Sequence, residues 1–120
     1  MSTSTFESLR VWHDARRLTT LIYRATAGKA FINDRALRDQ LRRAVISIMA
    51  NIAEGYERDG SKEFIHFLRI AKGSAGEVRC QLYAAQDLGY LEPEMAHALR
   101  QQAAIISRQI AALAKYRAEF

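Results

Sequence analysis

Two Glu-x-x-His motifs, Glu63 with His66 and Glu94 with His97, set a carboxylate and an imidazole one helical turn apart. Di-iron helical bundles hold their metals with this spacing, used twice at one level of the bundle. Here both motifs stand at the starts of the helices that carry them. Consecutive antiparallel helices then keep them tens of ångströms apart, since a helix of about 25 residues rises ~1.5 Å per residue. His66 and His97 also lie off the apolar stripes of their helices, so neither a metal nor a cofactor is expected. His13 stands alone on the polar side of the first helix, and Cys80, the one cysteine, has no histidine near it in sequence to form a nucleophilic pair. Small helical ribonucleases of the HEPN class use a short Arg-to-His spacing, and the nearest pair, Arg58 and His66, is too widely separated. No glycine-rich phosphate loop follows a strand, because no segment reads as a strand. The chain is therefore read as a non-enzyme, with a HEPN-like ribonuclease as the catalytic alternative.

The elements that carry these residues are helices. Val11, Ala15, Leu18, Ile22 and Ala25 alternate steps of four and three, which predicts a first helix over 7–27 with Gly28 as its stop. Leu37, Leu41, Ala44, Val45, Ile48 and Ile52 predict a second over 34–55, entered through Asn33 and Asp34 and ended at Gly55. Phe64, Phe67, Leu68, Ala71, Ala75, Val78, Leu82 and Ala85 give a third over 61–88, closed by Gly89. Pro93 fits the first turn of a fourth helix over 93–118, whose inward stripe is Met95, Leu99, Ile106, Ile110 and Leu113. Four helices with short links predict one all-α domain spanning 1–120, an antiparallel up-down-up-down four-helix bundle.

Length and composition agree with that reading. The chain has 120 residues, 49% hydrophobic, with one proline, enough for a single sizeable core and too ordered in character for a disordered segment. Charges interrupt every apolar run before it reaches the roughly 20 residues a membrane span needs. A lone cysteine and the lack of a signal-like start lead us to expect a cytoplasmic protein that no membrane holds.

The net charge of +5 is lopsided: residues 1–51 hold nine Lys and Arg against four Asp and Glu, and residues 52–120 hold nine of each. Arg10, Arg17 and Arg24 recur every seven residues on the outer side of the first helix, and Arg35, Arg38 and Arg42 line the outer side of the second. Such rows attract phosphates in a salt-sensitive way, more strongly when several copies of a chain present them together. They carry no sequence-specific readout.

A lone bundle does not need the second helix to be apolar nearly all round, yet Ile46, Met49, Ala50 and Ala53 lie opposite its core stripe. That extra face is expected to meet another copy of the chain. Gly73, Gly76 and Cys80 cluster off the core stripe of the third helix, where each interior glycine costs on the order of 1 kcal/mol relative to alanine. Either a close approach by another chain or relief of crowding inside the bundle accounts for them. Between the two faces of the second helix runs a polar strip, Gln40, Ser47, Asn51 and Glu54. If the neighbouring face is an interface, Asn51 and Glu54 need hydrogen-bond partners, in the following turn or across chains.

The run Gln40-Leu41-Arg42-Arg43-Ala44, then Ser47-Ile48 and Asn51-Ile52-Ala53-Glu54-Gly55, resembles the signature of the four helix bundle protein family. That family includes proteins encoded in intervening sequences of bacterial large-subunit rRNA genes. Phe6-x-x-Leu9-x-Val11-Trp12, Glu63-Phe64-x-x-Phe67-Leu68-x-Ile70-Ala71-x-Gly73-Ser74 and Leu88-Gly89-Tyr90-Leu91 extend the resemblance over nearly the whole chain. Ile32, Ala36 and Met49 depart from the family's usual proline, glycine and proline. The resemblance implies a homopentamer. The chain is also similar to the accessory protein of diversity-generating retroelements, a pentameric basic bundle, which implies RNA or DNA and a reverse transcriptase as partners. Together these readings give a non-enzymatic oligomeric bundle whose N-terminal arginines bind nucleic acid or ribonucleoprotein. A purely structural protein-protein module that binds no nucleic acid is the alternative.

Overall fold

A computed structural model describes residues 5–119 and shows four helices: α1 Arg10–Ala25, α2 Arg35–Glu57, α3 Ser61–Asp87 and α4 Pro93–Ala118. α1 packs on α2 and α4, and α3 packs on α2 and α4, so the helices touch along the sides of a square and run up-down-up-down. The bundle measures 50 × 20 × 19 Å. No described residue forms a strand, and no helix is long and apolar enough among them to cross a membrane.

The apolar stripes meet in one core. Leu18 and Ile22 of α1, Leu41, Val45, Ile48 and Ile52 of α2, Phe64, Leu68, Val78 and Leu82 of α3, and Ile106 and Ile110 of α4 are all fully buried. Residues three and four apart share a helical face, so removing that face from water is what fixes each helix in place.

Several boundaries and faces depart from the sequence reading. Phe6–Ser8 forms a separate 3-10 turn rather than the start of α1, and Leu9 between them is extended. Phe6 packs edge-on against Trp12 at 4.9 Å. α1 stops at Ala25, before Gly28; the buried Thr26 caps it, its backbone N–H and its hydroxyl both donating to the Ile22 carbonyl, at 3.0 and 2.8 Å. Gly55 does not end α2: it is buried in the last turns of a helix that continues to Glu57. Its role is close approach, since a Cβ there would lie 2.5 Å from Phe67 Cβ on α3. Met95 is 50% exposed rather than inward. The α4 stripe is instead Ala96, Leu99, Ala103, Ile106 and Ile110, a regular three-four alternation that puts Met95 one residue, about 100°, off the core.

The two connections at one end of the bundle are tied together. Asp34 caps α2 by accepting from the Leu37 backbone N–H at 3.1 Å. Its other oxygen accepts from the Tyr90 hydroxyl at 3.1 Å, and the Tyr90 ring packs on the buried Phe31 at 5.1 Å. The Tyr90 hydroxyl is pushed above its usual value, first by that hydrogen bond to Asp34, then by burial and by the charge of Asp34. Gly60 and Gly89, the turn residues before α3 and after its end, have φ of 87° and 78°, where a side chain would be strained.

Candidate nucleic-acid interface

On α1 the structure separates the three arginines of the heptad row. Arg17 and Arg24 border one shallow groove of about 320 Å³, together with His13, Arg16, Thr20 and Leu21. Arg10 instead borders an apolar groove toward α4, with Leu9, Val11, Gln109, Ala112 and Leu113. Arg16 is the groove residue that heptad spacing overlooks, although the doublet Arg16-Arg17 signalled it. Its guanidinium also lies 5.7 Å from the Trp12 ring centre. No carboxylate among the described residues lines this groove, so its three guanidinium groups act on one volume without an internal counter-charge. At its lower edge the His13 ring shares a hydrogen bond with the Glu7 carbonyl oxygen at 2.6 Å.

The α2 row is less uniform. Arg35 is exposed. Arg38 Nε donates to Asp39 at 3.2 Å, a partly exposed ion pair with its sequence neighbour. Arg42 is used inside the fold: its Nε donates to Thr26 Oγ1 at 2.9 Å and its Nη2 to the Tyr23 carbonyl at 3.2 Å. The guanidinium lies 4.5 Å from the Tyr23 ring centre. A cation that bonds the last carbonyls of α1 stabilises that helix end, a role that a charge count along the sequence does not reveal. Arg43, the exposed neighbour left out of the row, borders the grooves on both sides of α2.

The second apolar face of α2 is real but narrower than its sequence suggests. Ile46 is 41% exposed, and Ala50 is exposed beside it in a groove of about 560 Å³ that Tyr23, Arg43 and Asn51 also border. Ala53 is half-buried. Met49 turns toward α1, packs against the core and receives the Thr19 hydroxyl on its sulfur at 3.4 Å. Gly73 and Gly76 face open space, with no atom within 4 Å of where a Cβ would sit. Relief of crowding inside the bundle therefore does not explain them.

The polar strip divides in the same way. Asn51 donates to the Ser47 carbonyl and hydroxyl at 2.8 and 2.9 Å. Ser74, a buried serine that sits in the α3 core phase, donates to Ser47 Oγ at 2.9 Å. Gln40 and Ser47 line a groove of about 460 Å³ between α2 and α3, with Arg43, Ser74, Glu77 and Gln81. Glu54 pairs with Arg58 at 2.9 Å, which is the following-turn partner rather than a capping one. Arg58 also lies over the Phe67 ring at 5.0 Å. His66 and His97 are both exposed. Among the described residues no three His, Cys, Asp or Glu side chains converge as metal ligands do.

The sequence model of the family described as 23S rRNA-intervening sequence protein matches residues 7–112. A solved structure from Bacteroides thetaiotaomicron, a protein with unknown function from the S23 ribosomal protein family, superposes with a TM-score of 0.79. It is 22% identical, and the match covers 88% of this chain and 98% of that one. At that identity it shows a shared fold. No curated protein matches the sequence.

Proposed function

The chain belongs to the 23S rRNA-intervening sequence protein family, and from there we propose that it is a non-enzymatic binding protein that holds nucleic acid or ribonucleoprotein on the outer face of α1. The observation that carries this reading is the α1 groove, where Arg16, Arg17 and Arg24 converge with no carboxylate among the described residues that line it. Cations that lack an acidic neighbour release the counterions of a phosphate backbone when they bind it, so the attraction is strong at low salt and independent of sequence. Arg35, exposed at the start of α2, is a further cation open to a polyanion. Arg42 contributes less, because its guanidinium is held against the end of α1 by the Thr26 hydroxyl and the Tyr23 carbonyl.

The exposed Ile46 and Ala50 support assembly of several copies through α2, a pentamer by family resemblance. Multiplying the chain multiplies the arginine grooves, which raises avidity without any new contact. The test is retention of labelled RNA and DNA at low salt by the wild type and by Arg17→Glu/Arg24→Glu. Both side chains are exposed, so the fold is expected to survive the change. The proposal expects wild-type retention and its loss in the variant. Equal retention by both removes α1 as the binding face, and no retention by the wild type leaves the purely structural module.

A further inference from the structure

The equal number of cations and anions in the C-terminal half conceals where each sits. Glu54, Glu57, Asp59 and Glu63 gather at the α2–α3 turn, and Asp87, Glu92 and Glu94 at the α3–α4 turn. Glu77, the one acid in the middle of α3, borders the groove toward α2. After Glu94, α4 carries Arg100, Arg108, Lys115 and Arg117 and no acid. The turns are acidic, and the long middle of the α3/α4 side is basic.

Along α3, Arg69, Lys72, Gly76, Arg79 and Tyr83 follow one another in steps of three and four and are all exposed, so they form one straight row on the helix surface. The row spans about 21 Å, from 14 residues at 1.5 Å each. Its cations take part in no ion pair among the described residues. Gly76 leaves the backbone bare between Lys72 and Arg79, with nothing within 4 Å of a would-be Cβ. At the end of the row Tyr83 is 54% exposed. Arg100 of α4 reaches across to it, with its guanidinium 4.0 Å from the ring centre and Nη1 donating to Gln86 at 2.8 Å.

From this arrangement we infer that the α3/α4 side is a second polyanion surface and that its occupant is a single strand of nucleic acid. Three cations set out along a line, with Arg100 beside its end, track a phosphate backbone. An exposed aromatic ring at the end of that line offers a platform on which an unpaired base stacks. Bases in a duplex are already stacked on one another, so Tyr83 favours the single strand. Arg100 holds the ring in place and adds a guanidinium plane to the platform. This inference rests on the nucleic-acid reading proposed above and adds to it the form of the ligand and a second face.

The experiment is fluorescence anisotropy of the full chain with a labelled single-stranded oligonucleotide, and with the same sequence as a duplex, over a range of salt. The variants are Arg69→Gln/Lys72→Gln/Arg79→Gln, Tyr83→Ala, Tyr83→Phe and, for the α1 face, Arg17→Gln/Arg24→Gln. Losing three phosphate contacts should flatten the slope of log affinity against log salt by about 2, at ~0.7 per contact for single strands. Tyr83→Ala should weaken single-strand binding about 10-fold with the slope unchanged, while Tyr83→Phe binds as the wild type does. If the wild type binds and loses affinity in the α1 variant but not in the α3 variants, this inference falls and the proposed function stands. Duplex binding as tight as single-strand binding overturns the single-strand assignment. A wild type that binds neither overturns both readings.

Discussion

Gly55→Ala puts the packing account at risk. In an ordinary helix interior the change from glycine to alanine stabilises by about 0.8–1 kcal/mol, because alanine has fewer conformations to lose. At Gly55 the new Cβ would lie 2.5 Å from Phe67 Cβ, 3.2 Å from Phe64 Cδ1 and 3.3 Å from Phe67 Cγ. Carbon atoms in contact rest about 3.5–4.0 Å apart. The closest pair are both Cβ atoms, fixed to their backbones, so no rotamer change relieves them and α2 and α3 must part by about 1 Å. Overpacking a core costs ~1–3 kcal/mol, and a clash between two anchored atoms belongs at the upper end. Offset by the helix gain, the net loss is about 2 kcal/mol, a fall in Tm on the order of 10 °C for a domain of this size. Urea and thermal unfolding followed by far-UV circular dichroism measure it. Phe67→Ala in the same background keeps Cβ in place and should not rescue the loss. A Gly55→Ala protein as stable as the wild type, or more so, refutes the close-approach account of this glycine.

At Gly76 a Cβ meets nothing, so Gly76→Ala should stabilise the fold by about 0.8–1 kcal/mol in the same urea assay. Ile46→Glu places a charge on the exposed apolar face of α2, and light scattering should show a smaller assembly with unchanged helix content. The raised value of Tyr90 means that its hydrogen bond to Asp34 stabilises fully below the ordinary tyrosine value of about 10 and is lost as pH rises through the higher folded value. Tyr90→Phe should therefore be less stable than the wild type at about pH 8, with the difference shrinking above about pH 10, as read from urea midpoints across that range.

Helix number, order and direction were legible because burial imposes a three-four period on side chains wherever a helix has one dry face. The exposure of Ile46 and Ala50 was legible for the same reason: apolar residues opposite a core stripe point away from the core. Met95 misled because the same period admits two phases near a helix start, and Ala96 supplies the inward one with the smaller side chain. Gly55 reads as a helix stop from one strand of sequence, and only the position of Phe67 on the next helix shows why no side chain fits. By spacing Arg42 falls in a solvent-facing row, whereas its partners, Thr26 and the Tyr23 carbonyl, lie at the end of another helix. The basic row of α3 was hidden by counting charge over half of the chain, since the acids that balance it sit at the turns.

The most direct measurement of the central claim is the mass of the purified protein by light scattering, with and without short RNA and DNA strands, at low and at moderate salt. An assembly of several chains that takes up nucleic acid at low salt and releases it as salt rises is the result expected from the arginine groove of α1 and an apolar face on α2. A single chain that binds neither RNA nor DNA at low salt contradicts the account.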